Sequence, residues 1–156
     1  MSPNFILGYT DTETVKLDFD DVTFKTVLYW ARRAMSWFSL GGFLILKSSD
    51  RCYHVVFNHE VDWTHNMKIV AWVALLSKNE GLRRYLLMQC IKESSTLRLS
   101  PKGEKPFPRI VYHEGEEDDQ IMAFLRFQRQ IKNIVRKLDH MDATSILSVY
   151  LERSST

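Results

Sequence analysis

The sequence has little of what marks secreted, membrane-spanning or fibrous proteins. Only two of its 156 residues are cysteine, four are proline and six are glycine, so neither a disulfide framework nor a collagen-like composition is indicated. Cys52 and Cys90 form no CxxC pair and have no paired histidines, which excludes a zinc site; we expect both to be core thiols.

Long hydrophobic runs are also missing. The longest uncharged apolar run, residues 69–76, is far shorter than the roughly 18 residues that a membrane span requires, so no membrane partner is expected. The first residues lack a basic segment followed by an apolar one, and a signal peptide is therefore not indicated. We expect a cytoplasmic protein.

The composition is typical of one globular domain. Hydrophobic residues make up 45% of the chain and charged residues 26%. We expect a single domain over residues 1–156, with 120–156 as a helical C-terminal extension. The net charge of +2 divides into −4 over 1–22, +8 over 23–109 and −2 over the remainder. A basic middle beside an acidic opening suits a polyanion that meets a metal-binding edge, and chance clustering of surface charge explains it equally well.

Hydrophobic periodicity predicts strands interleaved with helices. Val15, Leu17 and Phe19 alternate with polar residues between Thr14 and Asp20, which predicts a strand with one buried face. Helices are expected over 24–38, 67–75, 82–91, 121–138 and 144–152, and further strands over 43–47, 52–58, 96–100 and 109–113. Residues 101–108, with three prolines, predict a loop, and 113–119 an acidic linker. This order indicates an α+β fold with a mixed β-sheet and packed helices.

The first strand carries a pair of carboxylates. Asp18 and Asp20 project from the same face about 7 Å apart, close enough to bind one or two divalent cations together. Hard oxygen ligands favour Mg²⁺ or Mn²⁺. The commoner explanation of such a pair is an exposed polar face, with Asp21 as a helix cap.

Two later segments carry side chains suited to phosphate. In KSSDRCYHVVF, Ser48 and Ser49 are expected in a turn and His54 on the strand that follows, where its ring can donate to a phosphate; a structural histidine is the alternative. In STLRLSPKGEK, Arg98 is expected on a strand and Lys102 on a proline-bounded loop with Lys105. Forked and point-charge contacts of these types hold triphosphates, and a solvated basic loop is the alternative.

The order of these motifs resembles the catalytic core of archaeo-eukaryotic primase and primase-polymerase proteins. From about Val15 to Tyr112 the chain contains an hDhD strand, a helix, a strand, S-S-x4-H entering another strand, and later LRLSPK. The resemblance implies an RRM-like primase core. In it the catalytic residues are Asp18, Asp20 and His54, of which the two acids bind the metals, and the nucleotide-binding residues are Ser48, Ser49, His54, Arg98 and Lys102.

The function that the resemblance implies is a minimal nucleotidyltransferase. It would make or extend primers on single-stranded DNA from nucleoside triphosphates with two divalent metals, and a replication helicase or another replication protein would be its partner. The family's third motif has a metal-binding acid before the basic segment, whereas LLMQCIKESST contains only Glu93; Asp62 and Glu80 are other candidates.

The missing acid motivates an alternative of a different class. This is a primase-like accessory protein with weak or no catalysis that binds single-stranded nucleic acid or nucleotides. A rolling-circle Rep endonuclease would need a compact pair of metal-binding histidines, which the sequence lacks.

Overall fold

The computed structural model describes residues 6–139, which form an α+β fold of helices and two small sheets. The helices are α1 (Phe24–Phe38), α2 (Trp63–Ser77), α3 (Glu80–Lys92) and α4 (Asp119–Asp139). The strands are β1 (Gly8–Asp11), β2 (Lys16–Phe19), β3 (Gly42–Ser49), β4 (Cys52–Phe57), β5 (Ser95–Arg98) and β6 (Arg109–Gly115). Side chains of Thr23, Asp62 and Asn79 cap the first three helices by accepting bonds from first-turn amides.

Every strand pair in the described residues is antiparallel, so the expectation of a mixed sheet is wrong. The larger sheet has the order β2-β4-β3-β6, and β1 pairs with β5 alone. The two strands that α1 connects, β2 and β3, run in the same direction, as the strands of a parallel β-α-β unit do. However, β4 inserts between them and runs opposite to both. The sequence shows that strands exist but not which strand lies beside which.

Both faces of the larger sheet are covered by other elements. On one face Phe24 of α1 packs near Tyr53, with ring centroids 6.2 Å apart. On the other face lie the β1-β5 pair and α4, which contact each other where the Tyr9 ring meets Phe124 at 5.5 Å. A two-stranded ribbon cannot bury its own apolar side, so it packs against the larger sheet.

The second layer changes the surroundings of Lys16. The alternating pattern assigned this residue to a polar face, yet its side chain is completely buried between the two sheets. Its ammonium lies 2.6 Å from Asp11 Oδ1 and donates to Ser95 Oγ at 2.9 Å and to the Ser95 carbonyl at 3.2 Å. A buried charge is tolerated only with partners of this kind. The group therefore joins β2 to β1 and β5.

Several local expectations also need correction. Ser48 and Ser49 end β3 rather than lying in the turn, and β6 extends through 113–115, the first part of the expected linker. Cys90 is exposed and Cys52 half-buried, so neither is a core thiol. Residues 120–139 lie in α4, whose Phe124 is completely buried against the second sheet. The helix expected over 144–152 is outside the described residues.

None of the helices formed by residues 6–139 is long and apolar enough to span a bilayer.

Candidate functional site

Asp18 on the edge strand β2 and His54 on β4 are neighbours on one face of the larger sheet. They are register partners in the antiparallel β2-β4 ladder, and His54 Nε2 lies 3.5 Å from Asp18 Oδ1. Directly opposed residues share one face of a sheet, so the parity expected from the sequence is what places this pair. The Asp18 side chain keeps 34% of its surface exposed, whereas the His54 side chain keeps 5%. The pair therefore has one buried member and one that reaches solvent.

The surroundings shift both ionisation equilibria towards the neutral forms. Burial, followed by the charge of Asp20, raises the pKa of Asp18 to about 7, and Lys105 and Arg98 oppose this shift. Burial, followed by the charges of Arg98 and Lys105, lowers the pKa of His54 to about 3. His54 is therefore a neutral imidazole near neutral pH. Groups perturbed by burial and by specific charges are typical of functional sites.

Asp20 lies beside Asp18 and is held by the first turn of α3. The side chain of Asn79 donates to the Asp20 carbonyl at 2.7 Å and also caps α3 through Leu82 N at 2.9 Å. The Asp20 carboxylate packs directly on Gly81, where the absence of a side chain leaves room for it. A helix N-terminus stabilises a nearby anion through its dipole. This contact positions Asp20 next to the Asp18–His54 pair.

We expect Gly81→Ala to disturb Asp20 without unfolding the protein. A Cβ at this position would lie 2.5 Å from Asp20 Oδ2 and 2.6 Å from its Cβ, so the carboxylate must move. Alanine favours the helix by up to about 1 kcal/mol, which offsets part of the clash in stability. If Asp20 binds a cation, the affinity for Mn²⁺ measured by calorimetry with nucleotide present should fall by about 10- to 100-fold.

The matched control for this substitution is a double-mutant cycle. Added to Asp20→Asn, Gly81→Ala should cause little further loss, because the group through which it acts is already gone. Additive losses would show that Gly81→Ala acts elsewhere.

The Arg98 guanidinium hydrogen-bonds to backbone carbonyls instead of being free to bind a phosphate. Its guanidinium donates to the carbonyls of Ser48 at 2.9 Å, Pro106 at 2.9 Å and Ser100. It therefore ties β5 to the end of β3 and to the loop over 101–108. Its charge still acts on Asp18 and His54. Arg98 is thus a positioning group with an electrostatic effect on the pair.

Lys105, rather than Lys102, is the lysine of this loop whose charge reaches the Asp18–His54 pair. The backbone amides of both lysines bond to each other's carbonyls, Lys102 N at 3.0 Å and Lys105 N at 2.9 Å, in a tight turn around Gly103. Both lysines are exposed. Their spacing along the sequence could not separate them, because the fold of the loop decides which of the two charges acts on the pair.

The loop and the end of β3 enclose a basic cavity of about 420 Å³. Its lining includes three cations (Lys47, Lys105 and Arg109), two acids (Asp50 and Glu104), Ser49, Pro106 and Phe107. Of these cations, none makes an ion pair with a carboxylate in the described part of the chain. Lys47 and Arg109 come together as register partners in the β3-β6 ladder, which sequence reasoning missed. Arg98 holds both walls of this cavity.

None of the three candidates for a third metal-binding acid forms a ligand group with Asp18 and Asp20 in the described residues. Glu93 caps the far end of α3, about 18 Å along the helix from Gly81, and Asp62 caps α2 by accepting from His65 N. Glu80 is exposed in the first turn of α3, beside Gly81. Within residues 6–139 no group of three or more ligating side chains of histidine, cysteine, aspartate or glutamate is assembled.

The chain was compared with protein-family models, curated proteins and solved structures, and none of the three comparisons gives a match.

Proposed function

We propose that the protein is a minimal primase-polymerase-like nucleotidyltransferase that acts in the cytoplasm. It would bind a nucleoside triphosphate in the basic cavity and make or extend a primer on single-stranded DNA, with Mg²⁺ or Mn²⁺ held by Asp18 and Asp20. The observation that carries the proposal is the register pair of Asp18 and His54, flanked by Asp20 and by the charges of Arg98 and Lys105.

The carboxylate pair is suited to a divalent cation. Asp18 is partly exposed and is raised in pKa partly by the charge of Asp20, so the two carboxylates repel each other and a cation between them would relieve that repulsion. Magnesium commonly binds through one or two carboxylates and completes its shell with water and substrate phosphates. Two acids are therefore enough if the triphosphate supplies the remaining oxygens.

The basic cavity is suited to a nucleoside triphosphate. Lys47, Lys105 and Arg109 offer three cationic side chains without described carboxylate partners, and Phe107 offers a ring on which a base can stack. Lys105 lines this cavity and also acts electrostatically on Asp18 and His54. Lys105 is the group that would connect the triphosphate with the carboxylates, because Lys47, the register partner of Tyr53, lies on the sheet face opposite to His54.

The order β2-β4-β3, with α1 connecting β2 to β3, supports the proposed RRM-like core. It is a split β-α-β unit, in which a third strand lies between two that run in the same direction. The motif with Asp18 and the motif with His54 then lie on neighbouring strands, as the proposed activity needs.

In the proposed reaction, a primer 3′-hydroxyl loses its proton to water, its oxygen bonds to the α-phosphorus, and the bond to the pyrophosphate oxygen breaks. A bound divalent cation would favour the ionised 3′-hydroxyl and stabilise the leaving pyrophosphate. Lys105 and its neighbouring cations would offset the charge that develops on the phosphates, and Arg98 would hold the loop that carries Lys105. Neutral His54 would donate a hydrogen bond to a phosphate oxygen.

A primer-extension assay tests the proposal. The protein is incubated with single-stranded DNA, Mn²⁺ and labelled nucleotides, and extended products are resolved by size. Products that require Mn²⁺ or Mg²⁺ support a nucleotidyltransferase. Nucleotide and strand binding without products would instead support the accessory protein, which is favoured by the two-acid site of the described residues.

We expect Arg98→Ala to weaken nucleoside triphosphate binding by about 1.5–3 kcal/mol, the usual range for a hydrogen bond to a charged group. The bonds to Ser48 and Pro106 hold the two walls of the cavity, so their loss lets the walls separate. Titration with nucleotide and with oligonucleotide at two salt concentrations measures both affinities. The oligonucleotide affinity should change less, because strand binding is spread over many phosphates.

The matched control is Lys68→Ala, which removes an exposed cation from α2. Lys68→Ala should leave nucleotide binding unchanged. Unchanged nucleotide affinity in Arg98→Ala would move the triphosphate away from this cavity. If Arg98→Ala weakens nucleotide and oligonucleotide binding equally, Arg98 acts only through the general positive charge of the protein.

A further inference from the structure

The outer face of α1 combines cations with exposed aromatic rings. The helix contains no acidic residue. A groove of about 580 Å³ runs along it, and its lining includes Lys25, Tyr29, Arg32, Arg33 and Trp37. We call these five side chains the α1 surface. It spans about 18 Å along the helix axis.

The aromatic rings are held in place and yet open to solvent. Trp37 is 67% exposed, and its ring stacks on Trp72 with centroids 5.8 Å apart and an interplanar angle of 26°. Tyr29 is 52% exposed, and its hydroxyl accepts a bond from Arg33 at 3.1 Å. Nucleic-acid bases stack on large aromatic rings that their neighbours support and that remain more than half exposed, as these two rings do.

The charges of the α1 surface are only partly neutralised. Arg32 pairs with Glu114 at 2.8 Å. By contrast, Lys25 and Arg33 make no ion pair with any carboxylate that the structure describes. Two cations at solvent beside two open rings match a ligand that alternates phosphates with planar bases.

We propose that the α1 surface binds single-stranded nucleic acid, with bases stacked on Trp37 and Tyr29 and phosphates held by Lys25 and Arg33. An acidic peptide would use the cations but not the rings. A membrane would need an apolar face, and that face of α1, with Val27, is turned to the core.

The α1 surface is separate from the Asp18–His54 pair. α1 packs on the sheet face that carries Tyr53, and the next residue along β4, His54, faces the opposite side. The inference therefore goes beyond the proposed function and concerns how the protein retains a strand, whether or not it extends one. Binding here can be measured without metal or nucleotide.

Fluorescence anisotropy with a labelled oligothymidylate of about 12 nucleotides tests the proposal on the full chain. We expect Trp37→Ala to weaken binding by about 5- to 150-fold, which corresponds to the loss of one base–aromatic stack. Trp37→Phe should retain most of the affinity because it keeps a ring. In Lys25→Ala/Arg33→Ala the slope of log affinity against log salt should become shallower by about 1.4, from the loss of two phosphate contacts.

Two controls separate the alternatives. Lys68→Ala/Arg129→Ala removes two exposed cations elsewhere, from α2 and α4, and should leave the affinity within about twofold. Equal losses in Lys68→Ala/Arg129→Ala would overturn the proposal, since binding would then follow total charge. Binding of polyglutamate or of anionic phosphatidylserine vesicles as tight as that of the oligonucleotide, and unaffected by Trp37→Ala, would overturn it as well.

Discussion

Asp11→Asn should lower the free energy of unfolding by about 3–5 kcal/mol, measured by urea denaturation at neutral pH. The substitution removes the carboxylate that faces the Lys16 ammonium at 2.6 Å, in a place where Lys16 has no exposed surface. It also replaces Oδ2, which accepts from the Thr14 hydroxyl, with an amide nitrogen that cannot accept. A buried ammonium without its counter-ion keeps its desolvation cost and loses the attraction that offset it.

The control for this prediction removes the charge instead of its partner. Lys16→Met keeps a long apolar chain of similar volume and should change stability little, since replacing a buried ion by a hydrophobic side chain is often neutral. Adding Lys16→Met to Asp11→Asn should recover much of the lost stability. If Asp11→Asn alone costs less than about 1 kcal/mol, the ammonium finds compensation outside the Asp11 contact.

The same pair makes stability sensitive to acid. Burial alone would raise the pKa of Asp11, but the charge of Lys16 and hydrogen bonds from Lys16 and Thr14 outweigh it and hold that pKa below its ordinary value of 3.8. A carboxyl with a lowered folded-state pKa stabilises the fold above pH 3.8 and loses that contribution as pH falls through the folded-state pKa. Unfolding curves of the wild type should show this loss on acidification, and those of Asp11→Asn should show less of it, since Glu114 also has a lowered pKa.

Asp18→Asn should reduce metal-dependent primer extension on the order of 10²–10³-fold while the protein stays folded. The amide keeps the shape of the side chain at the centre of the β2-β4 ladder but lacks the negative charge that would bind a cation. Neutralising a partly buried acid whose pKa is already raised to about 7 removes little stability at neutral pH. The readouts are product length by electrophoresis and Mn²⁺ binding by calorimetry with nucleotide present.

The neighbouring Asp21→Asn is the matched control. Asp21 lies one residue beyond Asp20, its side chain is 86% exposed, and it pairs with Arg51 at 2.8 Å. Asp21→Asn changes the formal charge by the same amount as Asp18→Asn but lies outside the proposed site, so activity should remain within about twofold. Equal losses in both variants would indicate a general charge effect, and unchanged metal binding in Asp18→Asn would contradict the ligand assignment.

Local patterns predicted the parts of the site that depend on one strand or one helix. The period-2 alternation around Leu17 placed Asp18 on a defined face, and the same rule placed His54, so their meeting required only that β2 and β4 be neighbours. The three- and four-residue spacing from Phe24 to Phe38 likewise predicted α1 over its observed length.

Features that depend on which elements meet were not predictable in this way. β1 has only four residues, GYTD, without an apolar alternation, and nothing in them indicates pairing with β5. Because that pair covers the larger sheet, Lys16 is buried against the local pattern. Lys47 and Arg109 lie 62 positions apart in sequence and meet only because β6 joins the edge of β3. The cavity between them follows from that edge pairing.

The pairing of β1 with β5 has a consequence for the order of folding. Gly8 finds its partner at Arg98, so β1 leaves the ribosome well before the strand that completes it, by about 5–20 s at ordinary rates of synthesis. The β3-β4 hairpin needs only its own residues and can form first. Closing the long loop from β1 to β5 is then a late event. Since Arg98 arrives with β5, the loop over 101–108 and the cavity walls are fixed only in that last stage, and an incompletely folded chain lacks the cavity proposed to bind nucleotide.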